Sequence, residues 1–228
     1  YPKSGNTWVR SFLTNYLSDK KSFSFDRLNE IKKFPRKDLF DKLKINYNDF
    51  EKIASNWINM QEIINSNKKI TFLKTHNAMA KVNNFNFTNS INTKGFIYIV
   101  RDPRDVVLSY ASHLGKSVEE TFSIMKNDKS FEMLDINSNL KMSILGSWSS
   151  NYKSWKNCSV AEGLIIKYED LVSSPLKNFD KIIKYLSKLN SLEINKNKIT
   201  ESINNTSFKI LKKLEFEKGF DERGYNVF

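Results

Sequence analysis

The sequence predicts an α/β fold in which a parallel sheet lies between layers of helices. Three short apolar runs, each of strand length and each ending in charged or polar residues, occur at 68–76, 95–102 and 163–170. Segments with apolar residues three and four positions apart, which is the helical pattern, separate these runs. Strands that alternate with helices are connected by right-handed crossovers, so the three strands are expected to run parallel in one sheet.

The helical segments are predicted in chain order. The first follows the opening turn and has its apolar stripe at Val9, Phe12, Leu13, Tyr16 and Leu17. Pro35 interrupts residues 20–45, which we interpret as a loop with a short helix. Further helices are predicted at 47–66, 106–114, 144–155 and 176–186. Loops are predicted between them, above all at 77–94 and 115–142.

Length and composition fit one folded domain. The 228 residues are 39% hydrophobic and 13% aromatic, which is enough to build a core, and we predict a single domain over 1–228. The net charge of +12 is compatible with an anionic partner. The lysines are scattered, however, which favours an evenly solvated surface over a dedicated basic patch.

Cysteine and histidine are scarce, and this limits the chemistry. Cys158 is the only cysteine, so an internal disulfide and a Cys-rich zinc site are excluded. His76 and His113 are the only histidines, so we expect no metal centre. No run of about 18 apolar residues occurs, so we expect no membrane span in this chain and a reducing, cytoplasmic environment.

The opening turn, YPKSGNTW, has the features of an anion site. Gly5 can adopt a positive φ and lets the backbone approach a ligand closely. Asn6 and Thr7 then lie at the N-terminus of the first helix, where free N–H groups attract anions, and Lys3 adds a positive charge. The G-x-x-x-x-G-K-[ST] pattern is absent, which argues against Mg²⁺-dependent hydrolysis of a nucleoside triphosphate.

A second candidate phosphate site follows the strand at 95–102. Arg101 ends the strand, Asp102 can cap the next helix, and Ser109 lies about two turns along that helix. An alternative is equally open at this point: Arg101 could simply pair with Asp102 or Asp105. Because ligands in parallel sheets bind at the carboxyl ends of the strands, residues 74–76, 101–102 and 168–170 are expected to meet at one edge.

Taken together, YPKSGNTW and VRDPRDVVLSY resemble the paired nucleotide signatures of the sulfotransferases that use 3′-phosphoadenosine 5′-phosphosulfate (PAPS), the cytosolic type and its bacterial relatives. The resemblance continues in order through KTH, GSWSSNYKSW, KYEDL and TSFKIL. It implies a P-loop-NTPase-like three-layer fold with a central parallel sheet flanked by helices. It also implies in-line transfer of a sulfuryl group from PAPS to an acceptor hydroxyl or amine, with release of 3′,5′-ADP and without a metal.

The resemblance assigns roles to individual residues. His76 is implied to be the general base, while Lys3 and Lys74 stabilise charge on the transferred group. The implied PAPS contacts are, for the phosphosulfate, Lys3, Ser4, Gly5, Asn6 and Thr7; for the 3′-phosphate, Arg101 and Ser109; and for the adenine end, Trp8, Tyr168, Thr206, Ser207 and Phe208. Asn6 departs from the family, which usually has Thr there, so an amide replaces a hydroxyl. His113 and the pair Trp148 and Trp155 are interpreted as structural.

Both ends of the domain are expected to continue outside residues 1–228. In the family a strand leads into the opening turn, and a basic loop closes over the 3′-phosphate after the TSF segment. We expect both to be missing here, with 217–228 forming only the approach to that loop. Two other functions stay open: a P-loop-like nucleotide kinase, and a non-catalytic basic protein that binds a polyanion.

The acceptor is expected to be a small molecule, with no nucleic-acid partner, and its identity is not encoded in any motif. The loops at 20–45, 77–94 and 115–142 are the candidates for its pocket. Four phenylalanines could line an apolar acceptor site or could equally belong to the core: Phe23, Phe25, Phe85 and Phe87. No feature indicates an oligomeric state.

Overall fold

The computed structural model describes residues 1–18, 22–46, 48–133 and 140–220. The helices are Asn6–Tyr16 (α1), Lys37–Leu43 (α2), Phe50–Ser55 (α3), Trp57–Asn65 (α4), Pro103–Leu114 (α5), Val118–Lys126 (α6), Trp148–Lys156 (α7), Tyr168–Ser173 (α8), Pro175–Asn190 (α9), Lys196–Asn205 (α10) and Phe208–Lys218 (α11), with a 3-10 helix at Phe25–Glu30. The strands are Lys32–Lys33 (β1), Leu73–Lys74 (β2), Lys81–Val82 (β3), Phe85–Asn86 (β4), Gly95–Val100 (β5), Phe131–Met133 (β6), Lys141–Ile144 (β7) and Glu162–Lys167 (β8).

The two longest strands form a parallel pair, as predicted. β5 and β8 pair from Gly95 opposite Glu162 to Val100 opposite Lys167. The prediction that all three runs share one sheet is wrong for the described residues, because β2, from the first run, pairs only with β1, in a separate two-residue parallel pair. β3–β4 and β6–β7 are antiparallel hairpins inside segments that were predicted as loops.

Helical layers cover both faces of the β5–β8 pair. Successive residues of a strand point to opposite faces. Leu164 and Ile166 accordingly pack with α1 and α9 in one buried cluster, while Tyr98 belongs to another cluster around Trp57 and Trp155. This alternation places the pair in the middle of a three-layer α/β arrangement.

The structure corrects several predicted boundaries. The strand predicted at 68–76 is paired only at Leu73–Lys74. The helix predicted at 144–155 begins later, because Gly146 adopts a positive φ of 63° and Ser147 caps α7. The helix predicted at 47–66 is two helices, which meet at Asn56.

The segment predicted as a loop at 115–142 contains a helix as well as a hairpin. α6 begins with a capping box in which Ser117 and Glu120 each accept a backbone N–H of the other. Within the described ranges, no helix has the length and apolarity needed to cross a membrane.

Candidate active site

The opening turn, the segment after β2 and one edge of β5 border a common cleft of about 440 Å³. Its walls include Ser4 and Asn6 from the turn, Lys74 and His76 from the β2 segment, and Tyr98 from β5. The opening turn and the predicted strand-end group 74–76 therefore face the same space. Arg101 and Tyr168, from the other two strand ends, adjoin the turn as described below.

The opening turn has the backbone that the anion-site prediction requires. Lys3 and Gly5 both have positive φ, at 61° and 102°. A side chain at position 5 would also collide with Tyr168, because a Cβ built there lies 2.5 Å from Tyr168 Cδ2. α1 starts at Asn6 without a side-chain cap, so its first N–H groups are available to a ligand.

Polar side chains at this turn are buried without a hydrogen-bond partner. Ser4 Oγ and Asn6 Oδ1 lack one, and so does Nε of Arg101, which lies beside the turn. Leaving such a group unsatisfied costs about 1–3 kcal/mol, and native proteins have few of them. Their concentration at one helix N-terminus is what a binding site for a polar ligand requires.

Arg101 contacts the turn and an aromatic ring rather than Asp102. Its Nη1 donates to the Lys3 carbonyl at 3.2 Å, and its Cζ lies 4.6 Å from the centre of the Tyr168 ring. Asp105 is its acidic neighbour, with 4.0 Å between Arg101 Nε and Asp105 Oδ2, which is too long for a hydrogen bond.

Asp102 is engaged by a different arginine. Arg104 Nη2 donates to Asp102 Oδ2 at 2.6 Å, and Asp102 also accepts the Arg104 backbone N–H as the cap of α5. The side-chain bond from Arg104, more than the backbone bond, lowers the pKa of Asp102 to about 2. The pairing of Arg101 with Asp102 is therefore excluded. Ser109 lies on α5, partly buried.

Of the residues implied to contact the adenine end, Tyr168 adjoins the turn and Arg101, and the others lie beside α1. The Trp8 ring lies 4.6 Å from the ring of Phe208 and 5.2 Å from that of Phe179. Thr206 is fully buried and donates through Oγ1 to the Ser202 carbonyl. Ser207 is the residue that precedes α11. Trp8 and Phe208 are thus in contact with each other.

His76 follows Lys74 and Thr75 directly after β2. Burial is the largest cause that lowers the pKa of His76 well below its ordinary value, and nearby positive charges lower it further. These charges are those of Lys74, the Tyr1 amino group, Lys33 and Arg10. The imidazole is therefore neutral at physiological pH, which is the state that can accept a proton.

A family model described as "Sulfotransferase domain" matches residues 1–223. The chain belongs to the sulfotransferase domain family.

Three curated sulfotransferases are similar to it. Luciferin sulfotransferase of Photinus pyralis is 24% identical over 219 residues, covering 93% of this chain and 55% of the relative. Sulfotransferase 1B1 of Canis lupus familiaris is 25% identical over 220 residues (93% and 64%). Cytosolic sulfotransferase 16 of Arabidopsis thaliana is 24% identical over 230 residues (98% and 62%).

The fold of the sulfotransferase domain also has a counterpart among solved structures. The crystal structure of mouse sulfotransferase SULT7A1 complexed with PAP aligns with a TM-score of 0.52 at 19% identity, covering 93% of this chain and 63% of that one. The likeness confirms the predicted α/β sulfotransferase fold. This chain thus spans between about half and two thirds of the length of the proteins it matches.

The four phenylalanines considered for the acceptor pocket have different environments. Phe23 and Phe87 are buried in the two main core clusters, and Phe87 also lines the cleft. Phe25 packs against Phe220, whereas Phe85 is exposed in the β3–β4 hairpin. Part of the third candidate loop, 134–139, and residues 221–228 after the TSF segment lie outside the described residues.

Several residues of the candidate site were not identified from the sequence. Tyr98 and Asn151, joined by a hydrogen bond of 2.9 Å, lie directly behind His76, and Asn77 bridges the same region to β7. Asn151 falls on the buried face of α7, one turn before Trp155. A polar residue on an otherwise apolar helix face was the one sequence signal for it.

Proposed function

We propose that the protein transfers a sulfuryl group from PAPS to a hydroxyl or amine of a small-molecule acceptor. One observation carries the proposal. Ser4 Oγ, Asn6 Oδ1 and Arg101 Nε are buried without hydrogen-bond partners at the N-terminus of α1, next to the cleft that His76 lines. A ligand with negative oxygens would accept from the Ser4 hydroxyl, the Arg101 N–H and the N–H groups of the helix N-terminus together, and a donor group of the same ligand would satisfy the Asn6 oxygen.

The predicted contacts place the phosphosulfate, the 3′-phosphate and the adenine of PAPS at different positions around α1. Lys3, the turn residues and the first N–H groups of α1 would hold the phosphosulfate, and Thr7 would add a hydroxyl. Arg101, with Ser109, would bind the 3′-phosphate. The adenine would lie near Trp8, and binding there requires Trp8 and Phe208 to separate or to stack the base on an outer face. Phe208 is 49% exposed, so it can move without opening the core.

The proposed chemistry is an in-line displacement. The acceptor oxygen or nitrogen forms a bond to sulfur while the bond from sulfur to the phosphate oxygen breaks, and that electron pair leaves with 3′,5′-ADP. His76 takes the proton of the acceptor. Lys3 offsets charge on the leaving phosphate, and Lys74 stabilises the sulfuryl oxygens. Positioning and charge stabilisation supply most of the rate increase in related phosphoryl transfers, and no metal is invoked here.

The proposal includes the organisation of the chain. Residues 1–228 would form one sulfotransferase domain that continues at both ends, with a strand before the opening turn and a 3′-phosphate loop after the TSF segment. We also assign it to the cytoplasm, on the basis of its single cysteine and the name of the Arabidopsis relative.

Thermal unfolding with 3′,5′-ADP or 5′-ADP, in the presence of EDTA, tests the substrate class. 3′,5′-ADP at about 100 times its dissociation constant should stabilise the protein by about 2.7 kcal/mol, and 5′-ADP at the same concentration by clearly less. Ser109→Ala and Arg101→Ala should reduce this selectivity, because each removes a contact to the 3′-phosphate. A charged hydrogen bond is worth about 1.5–3 kcal/mol, so Arg101→Ala should weaken 3′,5′-ADP about 10- to 100-fold.

Arg101 also donates to the Lys3 carbonyl, so the nucleotide selectivity of Arg101→Ala is interpreted together with that of Ser109→Ala. Equal loss of both nucleotides in Arg101→Ala alone would mean that the turn has been distorted. Equal stabilisation of the wild-type protein by both nucleotides would contradict the proposal. The kinase alternative would instead give Mg²⁺-dependent turnover of ATP, and a polyanion-binding protein would bind DNA with a steep salt dependence.

A further inference from the structure

Three side chains on one face of α7 form hydrogen bonds with the backbone of residues 76–79. These bonds join Asn151 Nδ2 to the His76 carbonyl at 3.2 Å, Trp155 Nε1 to the Asn77 carbonyl at 2.9 Å, and the Met79 amide to Ser154 Oγ at 2.9 Å. Positions 151, 154 and 155 share a face because they are three and four residues apart. α7 therefore holds the segment that carries His76 where β2 has already ended.

Asn151 is the residue of this set that touches His76, and all its polar atoms are used. Nδ2 also donates to the Leu145 carbonyl at 2.8 Å, and Oδ1 accepts the Tyr98 hydroxyl at 2.9 Å. The side chain is fully buried. One carboxamide thus joins β5, the turn before α7 and the His76 segment.

The two carbonyls fix the orientation of that carboxamide, because each needs a donor and only its NH₂ group supplies one. The amide oxygen then faces Tyr98. Burial raises the pKa of the Tyr98 phenol, so the hydroxyl stays protonated and donates its hydrogen to Asn151 Oδ1. In the opposite orientation the amide oxygen would face the two carbonyls, which would then lack a donor.

We propose that Asn151 is a positioning residue for the transfer reaction, because it fixes the backbone from which the His76 imidazole reaches the acceptor. This inference rests on the proposed function, in which His76 is the base. A base has to lie about 2.6–3.2 Å from the atom whose proton it removes. Misplacement by about 1 Å can cost about 100-fold in rate, so a bond to the backbone of His76 has a direct kinetic consequence.

Two variants and a matched control test the inference. Asn151→Ala removes the bond to His76, and Tyr98→Phe removes the hydroxyl that donates to Asn151 Oδ1. Asn178→Ala is the control, because Asn178 is also a buried helical asparagine whose Nδ2 donates to two carbonyls, those of Asp170 at 2.8 Å and Ser174 at 3.0 Å, on α8 and next to α9. If Asn151 contributes only to stability, Asn151→Ala should change kcat no more than Asn178→Ala does.

The expected result separates turnover from binding. Asn151→Ala should lower kcat by about 10- to 100-fold while KM for PAPS and stabilisation by 3′,5′-ADP change less than about twofold. Tyr98→Phe should lower kcat by a smaller factor in the same manner. Asn178→Ala should leave kcat unchanged. Equal kcat values in Asn151→Ala and Asn178→Ala would overturn the inference.

An NMR titration supplies a readout that does not depend on activity. His76 and His113 are the two histidines, so a His113→Gln background leaves the His76 imidazole as a single signal. Its pKa is lowered by burial and by the charges of Lys74, Tyr1, Lys33 and Arg10. In Asn151→Ala the His76 pKa should rise towards its ordinary value of about 6.5, because the segment is released from the interior.

The outcomes distinguish failure of the positioning role of Asn151 from failure of the proposed sulfuryl transfer. An unchanged His76 titration in both Asn151→Ala and Tyr98→Phe overturns the positioning role. If the wild-type protein transfers no sulfuryl group, the proposed function fails, while the titration still decides whether Asn151 positions His76. If Asn151→Ala does not fold, Tyr98→Phe keeps its ring in the core and decides on the same readouts.

Discussion

At the scale of single residues, the polar groups at the head of α1 and those behind His76 are satisfied in opposite ways. Behind His76, the carboxamide of Asn151 has partners for both its donor hydrogens and for its oxygen. At the turn, Ser4 Oγ and Arg101 Nε are buried and have none. A fully satisfied network rigidifies its surroundings, whereas unsatisfied donors lower the free energy of a ligand that reaches them. This contrast distinguishes the support of the site from its binding surface.

The lowered pKa of His76 predicts the pH dependence of both turnover and stability. kcat/KM should rise with pH as the imidazole loses its proton and should already be constant at pH 6.5, because the pKa lies well below that value. Between the pKa of the folded protein and about 6.5, the unfolded chain binds a proton that the folded chain does not. His76 therefore makes stability increase with pH across that window, and below the pKa of the folded protein, where both states bind the proton, it adds no pH dependence.

The measurement is a pH profile of PAPS turnover and of urea unfolding for the wild-type protein and His76→Ala. The variant should turn over at least about 100-fold more slowly, lose the acidic limb in both profiles, and still be stabilised by 3′,5′-ADP. A wild-type acidic limb centred at pH 6.5 or higher would contradict the lowered pKa. Turnover of His76→Ala near the wild-type rate would remove His76 from the mechanism.

At the scale of elements, the sequence predicts the two long strands and the amphipathic helices α1, α5 and α9 well and short paired segments badly, and it did not predict α10 and α11. β5 and β8 were predicted because each contains a short run of apolar, largely β-branched or aromatic residues, 96–100 and 164–166. β1 and β2 pair over two residues each, and such pairing is decided by tertiary contacts that no local pattern encodes. The same reason explains the unpredicted hairpins.

The residues of the candidate site likewise divide into those that the sequence identified and those that it did not. Gly5 and Arg101 were identified from the sequence because their chemistry depends on local turns and strand ends. Asn151 was missed because the one sequence signal for it, a polar residue on an apolar helix face, does not show which groups the side chain bonds. Only the contacts of α7 with residues 76–79 identify the His76 carbonyl as one of these groups.

The capping box of α6 gives a prediction for an element that was not expected. Ser117→Ala should lower the free energy of unfolding by about 1 kcal/mol, because the N–H of Glu120 loses its acceptor at the helix N-terminus. The bond from the Ser117 backbone N–H lowers the pKa of Glu120, so its contribution is present above the ordinary pKa and is lost as the pH falls through the lowered one.

Urea unfolding at pH 7 and at lower pH measures both effects. Ser123→Ala is the matched control, because Ser123 lies in the same helix and donates to the Glu119 carbonyl four residues earlier, where alanine is a good replacement. Stabilisation by 3′,5′-ADP should be the same in both variants. If Ser117→Ala is no less stable than Ser123→Ala, α6 does not depend on its cap.

At the scale of the whole molecule, the two parallel pairs face each other across the cleft. β8 lies along one edge of β5, and the cleft of about 440 Å³ lies along the other, between β5 and the segment that ends in β2. The strand proposed before the opening turn would pair along this edge.

A strand in this position makes a prediction about a longer natural chain. β5 is six residues long, and at about 3.3 Å per residue a partner of similar length would span about 20 Å beside it. A chain extended by the residues that precede Tyr1 should unfold at a higher temperature, and the β5 amides should exchange with solvent more slowly, because backbone groups along the open edge gain partners. The matched control is the same extension with two alternate residues replaced by proline, which cannot donate to a ladder. If the proline-containing extension stabilises the protein and protects β5 equally, the added segment does not pair with β5.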